Sequence, residues 1–152
     1  MNAHNILFYT FCIFGMILIH ESDGKTCQRN GDESYQLKSV GSTKTWNVQI
    51  RKNLRNSAKM RLTLRKNPTE WFFSTATRRL YCCHENDTYY MVVNKYERVE
   101  LSTTENDRWE LLQNSYRGRS ILRHVSSRLY LAATGKRRLG LSNEPEDAIS
   151  ML

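Results

Sequence analysis

Three stretches of this sequence follow one pattern at intervals of about forty residues, which holds the chain to architectures assembled from three like units. Leu37, Tyr81 and Ile121 each stand nine residues before an aromatic side chain, Trp46, Tyr90 and Tyr130. Each aromatic lies at the start of a short alternating or apolar run: TWNVQI, YYMVV and LYLAA. A second run with basic flanks follows, MRLTL from Met60, RVELS from Arg98 and RLGLS from Arg138, with Leu62, Val99 and Leu139 at equivalent positions. Each unit closes on a third run, EWFFS, RWELL or AISML, which puts Trp71, Trp109 and Ile149 in one series. The polar links NPT, TENDR and NEPED read as turns.

With YQLKS, RRLYC and SILRH opening the units, the pattern predicts twelve short strands and no helical periodicity. Twelve strands in three four-stranded units describe an all-β fold, a β-trefoil, in which six strands make a barrel and six cap it as hairpins. Large apolar side chains recurring at Trp71, Trp109 and Ile149 are expected to fill its core. The first unit departs from the others at Arg51–Lys59 (RKNLRNSAK), read as an insertion that lengthens a hairpin loop and offers a basic contact surface.

The N-terminus suggests the compartment. Ile6–Ile19 is a run of 14 residues without a charge, short for a membrane span and of the right length for a signal-peptide core, with Ser22 and Gly24 suited to cleavage before Lys25. The expected organisation is therefore a signal peptide at 1–24, an N-terminal segment at 25–34 and the β-trefoil domain at 35–152, secreted and not inserted in a membrane after cleavage. Residues 1–24 hold none of the 23 Lys and Arg but include Glu21 and Asp23, so cleavage raises the formal charge from +8 to +10. Cleavage also removes Cys12, leaving Cys27, Cys82 and Cys83, an odd number for an oxidising compartment. One disulfide from Cys27 to either Cys82 or Cys83 is expected. Cys82 and Cys83 are poorly placed to bond each other, because neighbours on a strand face opposite sides. No second Cys or His pair stands at metal-ligand spacing, so neither metal nor cofactor is expected. Asn86-Asp87-Thr88 is a glycosylation acceptor in a predicted turn, whereas Asn67-Pro68-Thr69 is excluded by its proline.

Laid out in this way, residues 35–152 resemble the fibroblast growth factor and interleukin-1-like branch of the β-trefoils. Ser115-Tyr116-Arg117-Gly118-Arg119, followed by Leu129-Tyr130-Leu131-Ala132-Ala133-Thr134-Gly135-Lys136-Arg137-Arg138-Leu139-Gly140, is similar to the growth-factor succession of a tyrosine-and-arginine hairpin, an aromatic-led strand and a Gly-basic turn. Leu80-Tyr81-Cys82 is similar to that family's opening strand, here at the start of the second unit. The resemblance implies an extracellular ligand that binds heparan sulfate or another acidic glycan through the last unit, at Arg117, Arg119, Lys136, Arg137 and Arg138, and that engages a cell-surface receptor. Guanidinium forks bind sulfate and carboxylate oxygens bidentately, which suits arginine to that role. The loop Asn143–Asp147 departs from the family pattern, being acidic where a Gly, Thr and basic segment is usual.

Other functions have less to draw on. The mature chain keeps two histidines, His84 and His124, each just after strand residues at a unit's first hairpin, and one equivalent structural position accounts for both. With no glycine-framed serine and no phosphate-cradling loop, an enzyme is not expected. A protease inhibitor presenting Arg55 or Lys59 is the first alternative. A lectin using Tyr89 or Tyr96 beside Asp87 and Asn94 is the second. Nucleic acid suits the charge but not a secreted address.

Overall fold

A computed structural model describes residue 27 and residues 31–40, 45–104, 107–135 and 137–152. The expected signal peptide at 1–24 and Lys136 lie outside the described residues.

All twelve expected segments are strands: β1 Glu33–Val40, β2 Thr45–Asn53, β3 Asn56–Arg65, β4 Glu70–Ser74, β5 Arg79–His84, β6 Asp87–Val93, β7 Val99–Ser102, β8 Trp109–Tyr116, β9 Arg119–His124, β10 Tyr130–Gly135, β11 Arg138–Ser142 and β12 Ser150–Met151. The acidic loop contributes one short 3-10 turn, Pro145–Asp147. Every ladder is antiparallel, and the strands form one nearly closed, barrel-like sheet. β1 pairs with β4, β4 with β5, β8 with β9, β9 with β12, and β12 with β1. The one interval in that circuit, between β5 and β8, is bridged by the Trp109 amide donating to the Arg78 carbonyl at 2.7 Å. β2–β3, β6–β7 and β10–β11 are hairpins that continue from β1, β5 and β9.

Cross-strand pairing fixes how the three units correspond. Ile50 faces Leu62, Val93 faces Val99 and Ala133 faces Leu139, so Leu62, Val99 and Leu139 do occupy one register position. One step inward, Val48 faces Leu64, Met91 faces Leu101 and Leu131 faces Leu141. The opening strands need a correction. Lys38 pairs with Asn47, Tyr81 with Tyr90 and Arg123 with Tyr130, so Tyr81 corresponds to Lys38 and Arg123, and the matching apolar positions are Leu37, Leu80 and Leu122. By the same register Asn47, and not Trp46, corresponds to Tyr90 and Tyr130. A slip of one residue turns a side chain to the opposite face, and the core follows the corrected set: Leu37, Leu80 and Leu122 are all buried within it.

Trp71 and Trp109 are fully buried, and their indole N–H groups donate to the carbonyls of Val48 (3.1 Å) and Met91 (2.9 Å). The third unit has the equivalent carbonyl, Leu131, but no indole. There the backbone N–H of Ile149 donates instead, at 2.7 Å. A buried carbonyl without a donor is costly, so the three units satisfy the same acceptor by two chemistries.

The expected loop at Arg51–Lys59 is not a loop. β2 runs on to Asn53 and β3 begins at Asn56, leaving a two-residue turn of Leu54 and Arg55. Asn53 Oδ1 accepts the Arg55 amide at 3.0 Å, a side-chain turn that spares the chain a longer connection. Arg51, Lys52 and Lys59 therefore stand on strands. The disulfide joins Cys27 to Cys83, with Cα atoms 5.7 Å apart, while Cys82 points into the core as a free thiol.

Candidate anion-binding surface

Of the five basic residues suggested by the family resemblance, the four described ones, Arg117, Arg119, Arg137 and Arg138, fall into two neighbourhoods. Arg117 and Gly118 form the turn of the β8–β9 hairpin with φ of 48° and 72°, the left-handed pair that a tight hairpin turn demands and that glycine takes without strain. This turn sets Arg117 and Arg119 about the ring of Tyr116, at 5.3 and 5.4 Å from its centroid, and Arg119 Nη1 donates to Ser150 Oγ at 3.4 Å. Arg137 and Arg138 belong to the β10–β11 hairpin, and Arg137 lies 6.0 Å from the ring centroid of Trp46 on β2. Both are exposed, and they border a groove of about 680 Å³ floored by Leu62, Val99 and Leu139 and edged by Tyr96. Arg119 reaches β12, whereas Arg137 reaches β2 at Trp46 and acts on Arg65 of β3.

The structure adds arginines that sequence reading left out. On the β2–β3 hairpin, Asn47 faces Arg65, Gln49 faces Thr63 and Arg51 faces Arg61, so these six residues share one face, opposite to that carrying Val48, Ile50, Leu62 and Leu64. Arg137 meets this group from β11's hairpin. Its positive charge, followed by burial and then by Arg51 and Arg61, holds the Arg65 guanidinium below the ordinary arginine range. Arg65 Nε and the opposed Asn47 Oδ1 are buried without hydrogen-bond partners, although Asn47 Nδ2 donates to the Lys66 carbonyl at 2.6 Å. Strand alternation places Arg51, Arg61 and Arg65 together only once the hairpin register is known, which is why the sequence did not reveal the group.

Carboxylates take other partners. Glu85 pairs with Lys52 at 2.8 Å, and Glu110 with Arg123 at 2.7 Å and Arg128 at 3.8 Å. Lys52 and Arg123 hold the carboxyls of Glu85 and Glu110 below the usual carboxylate range. Among the described residues, no carboxylate forms an ion pair with Arg51, Arg61, Arg65, Arg117, Arg119, Arg137 or Arg138.

His84 and His124 do not share a position. His124 lies opposite Trp109 just as Cys82, by the β4–β5 register, lies opposite Trp71, whereas His84 falls two residues beyond at the end of β5. His124 Nδ1 and the Ser127 hydroxyl are 2.9 Å apart, and Nε2 is 3.6 Å from Asp107 Oδ1. The trio has the composition of a nucleophilic triad but the geometry of a turn clamp. The Ser127 amide donates to His124 Nδ1, the Leu129 amide to Ser127 Oγ, and the Val93 amide to the other Asp107 oxygen. The imidazole is also buried against Trp109, with ring centroids 5.3 Å apart. Among the described residues, no three His, Cys, Asp or Glu side chains are grouped to hold a metal ion.

The residues named for the alternatives have local roles. Arg55 sits in the two-residue turn beside Leu54, which is 88% exposed, and Lys59 is on β3. Asn94 Oδ1 accepts the amides of Tyr96 and Arg98 and its Nδ2 donates to Glu100, while Tyr89 donates to Asp87 at 3.4 Å. Asn86 is exposed in the turn between β5 and β6. No protein-family model matches this chain, and no curated protein matches its sequence.

Proposed function

We propose that this chain is a secreted, non-enzymatic binding protein, a β-trefoil of the fibroblast growth factor and interleukin-1-like type, which engages heparan sulfate or another acidic glycan and, with it, a cell-surface receptor. The trefoil reading is supported by three hairpins that continue from β1, β5 and β9 in a common register. Secretion is supported by the apolar run at Ile6–Ile19 and by the Cys27–Cys83 disulfide, a bond suited to oxidising compartments. One observation carries the glycan reading: exposed arginines at two hairpin ends of the last unit have no carboxylate partner among the described residues, while Glu85 and Glu110 are paired with other cations.

A protease inhibitor fits less well, because a protease cleft takes an extended segment and Arg55 is folded into a tight turn. A lectin fits less well because the Asn94 side chain is occupied in holding its own loop. The test is elution of the mature chain from heparin and from a sulfonate exchanger of matched charge density. Heparin is expected to hold it to clearly higher salt, and Arg117, Arg119, Lys136, Arg137 and Arg138 changed together to Gln are expected to erase the excess. Equal elution from both would leave only diffuse charge at work.

A further inference from the structure

We infer that Arg51, Arg61, Arg65 and Arg137 form one discrete site for the sulfate and carboxylate groups of a glycan chain. The inference rests on the glycan reading above and moves the centre of binding from the last unit to the junction of the β2–β3 and β10–β11 hairpins.

Register supplies the geometry. Arg51 and Arg61 are direct cross-strand partners, and Arg65 lies four residues from Arg61 on the same face, about 13 Å along the strand at about 3.3 Å per residue. Arginine side chains span much of that interval, and Arg137 enters from the neighbouring hairpin against the Trp46 ring. Four guanidiniums from two strands and a hairpin end thus share one neighbourhood, with Thr63 and Gln49 between those on the strands. Like charges set opposite each other oppose folding, and here no carboxylate among the described residues relieves them. A polyanion relieves all four charges at once. Guanidinium forks matched to planar or tetrahedral oxyanions make such a cluster a better sulfate and carboxylate binder than the same number of scattered lysines.

The test is calorimetric titration of the mature protein with a size-defined heparin oligosaccharide, with sodium sulfate at matched sulfate concentration as the small-anion arm. Three variants are compared: R51Q/R61Q, R65Q/R137Q and R117Q/R119Q, each with its melting curve recorded. Both cluster variants are expected to bind the oligosaccharide at least tenfold more weakly, and R117Q/R119Q less than threefold more weakly. R51Q/R61Q alters only exposed side chains and keeps the test decisive if loss of the half-buried Arg65 unfolds the chain. Equal losses in R51Q/R61Q and R117Q/R119Q would overturn the discrete site while leaving glycan binding intact. Binding of sulfate with no gain for the oligosaccharide would overturn a chain-binding site. No binding by the parent protein would overturn the glycan reading itself, and this inference with it.

Discussion

Arg123 donates from Nε at 3.1 Å and from Nη2 at 2.7 Å to one oxygen of Glu110, its direct partner across β8 and β9. That hydrogen bond is the main cause of the depressed Glu110 carboxyl, and its consequence for stability has a definite sign. A carboxylate with a lowered folded-state pKa contributes stability above its unfolded value, and the contribution disappears as pH falls through the folded value. Glu110→Gln is therefore expected to cost no more than about 1 kcal/mol at neutral pH, as part-exposed pairs do. The difference from the parent should shrink in acid, and urea midpoints measured across that range check it. Cys82 offers a second expectation. Burial pushes its thiol up to about 12, so a maleimide should label it only after unfolding. Labelling of the native protein would mean that the core around Cys82 opens. At Trp71 and Trp109, truncation to Ala should cost about 3–5 kcal/mol, because each removes both a large core side chain and the donor to a buried carbonyl. Thermal unfolding of the two variants tests this.

Among the elements, the hairpins carried the most legible information and also the misreadings. Alternation of large apolar side chains marked all twelve strands, and Leu62, Val99 and Leu139 were aligned correctly because each sits in a short run with a basic flank. The opening strands differ from the expected alignment for two reasons: the aromatic Trp46 stands one residue before the position equivalent to Tyr90 and Tyr130, and the turn of the third unit is two residues shorter. Leu37 and Val48 are eleven residues apart, as are Leu80 and Met91, but Leu122 and Leu131 are nine apart, so a constant spacing of nine to the next aromatic sets Leu37 one residue, and Ile121 two residues, from the position of Tyr81. Arg51–Lys59 read as a loop because it is rich in Arg, Lys and Asn, yet a strand exposed on one face tolerates just such residues. The arginine group was illegible for the same reason: it depends on which residues of β2 and β3 face each other, and no local signal states that. The β8–β9 turn gives a prediction at this scale. Gly118→Ala places a Cβ at φ of 72° with no atom within 4 Å of it, so its cost should be backbone strain alone, about 1 kcal/mol, read as a small fall in melting temperature.

For the whole molecule, the Cys27–Cys83 bond ties the start of the described chain to β5 and encloses the first unit in a covalent loop with a sequence separation of 56. The hydrogen bond from Tyr81 to Asp32 at 2.8 Å reinforces that attachment. Changing both cysteines to Ser is expected to cost about 2–5 kcal/mol, a large part of what a single domain has in reserve, and denaturant unfolding with and without reductant measures it. The interval between β5 and β8 bears on how such a molecule comes apart. Every other junction of the circuit is a paired ladder, whereas here, among the described residues, the backbone link is the Trp109 amide donating to the Arg78 carbonyl. Hydrogen exchange at that amide should therefore report how often the barrel opens along this interval. A pulling force applied across β5 and β8 would find there the line along which the wall tears first.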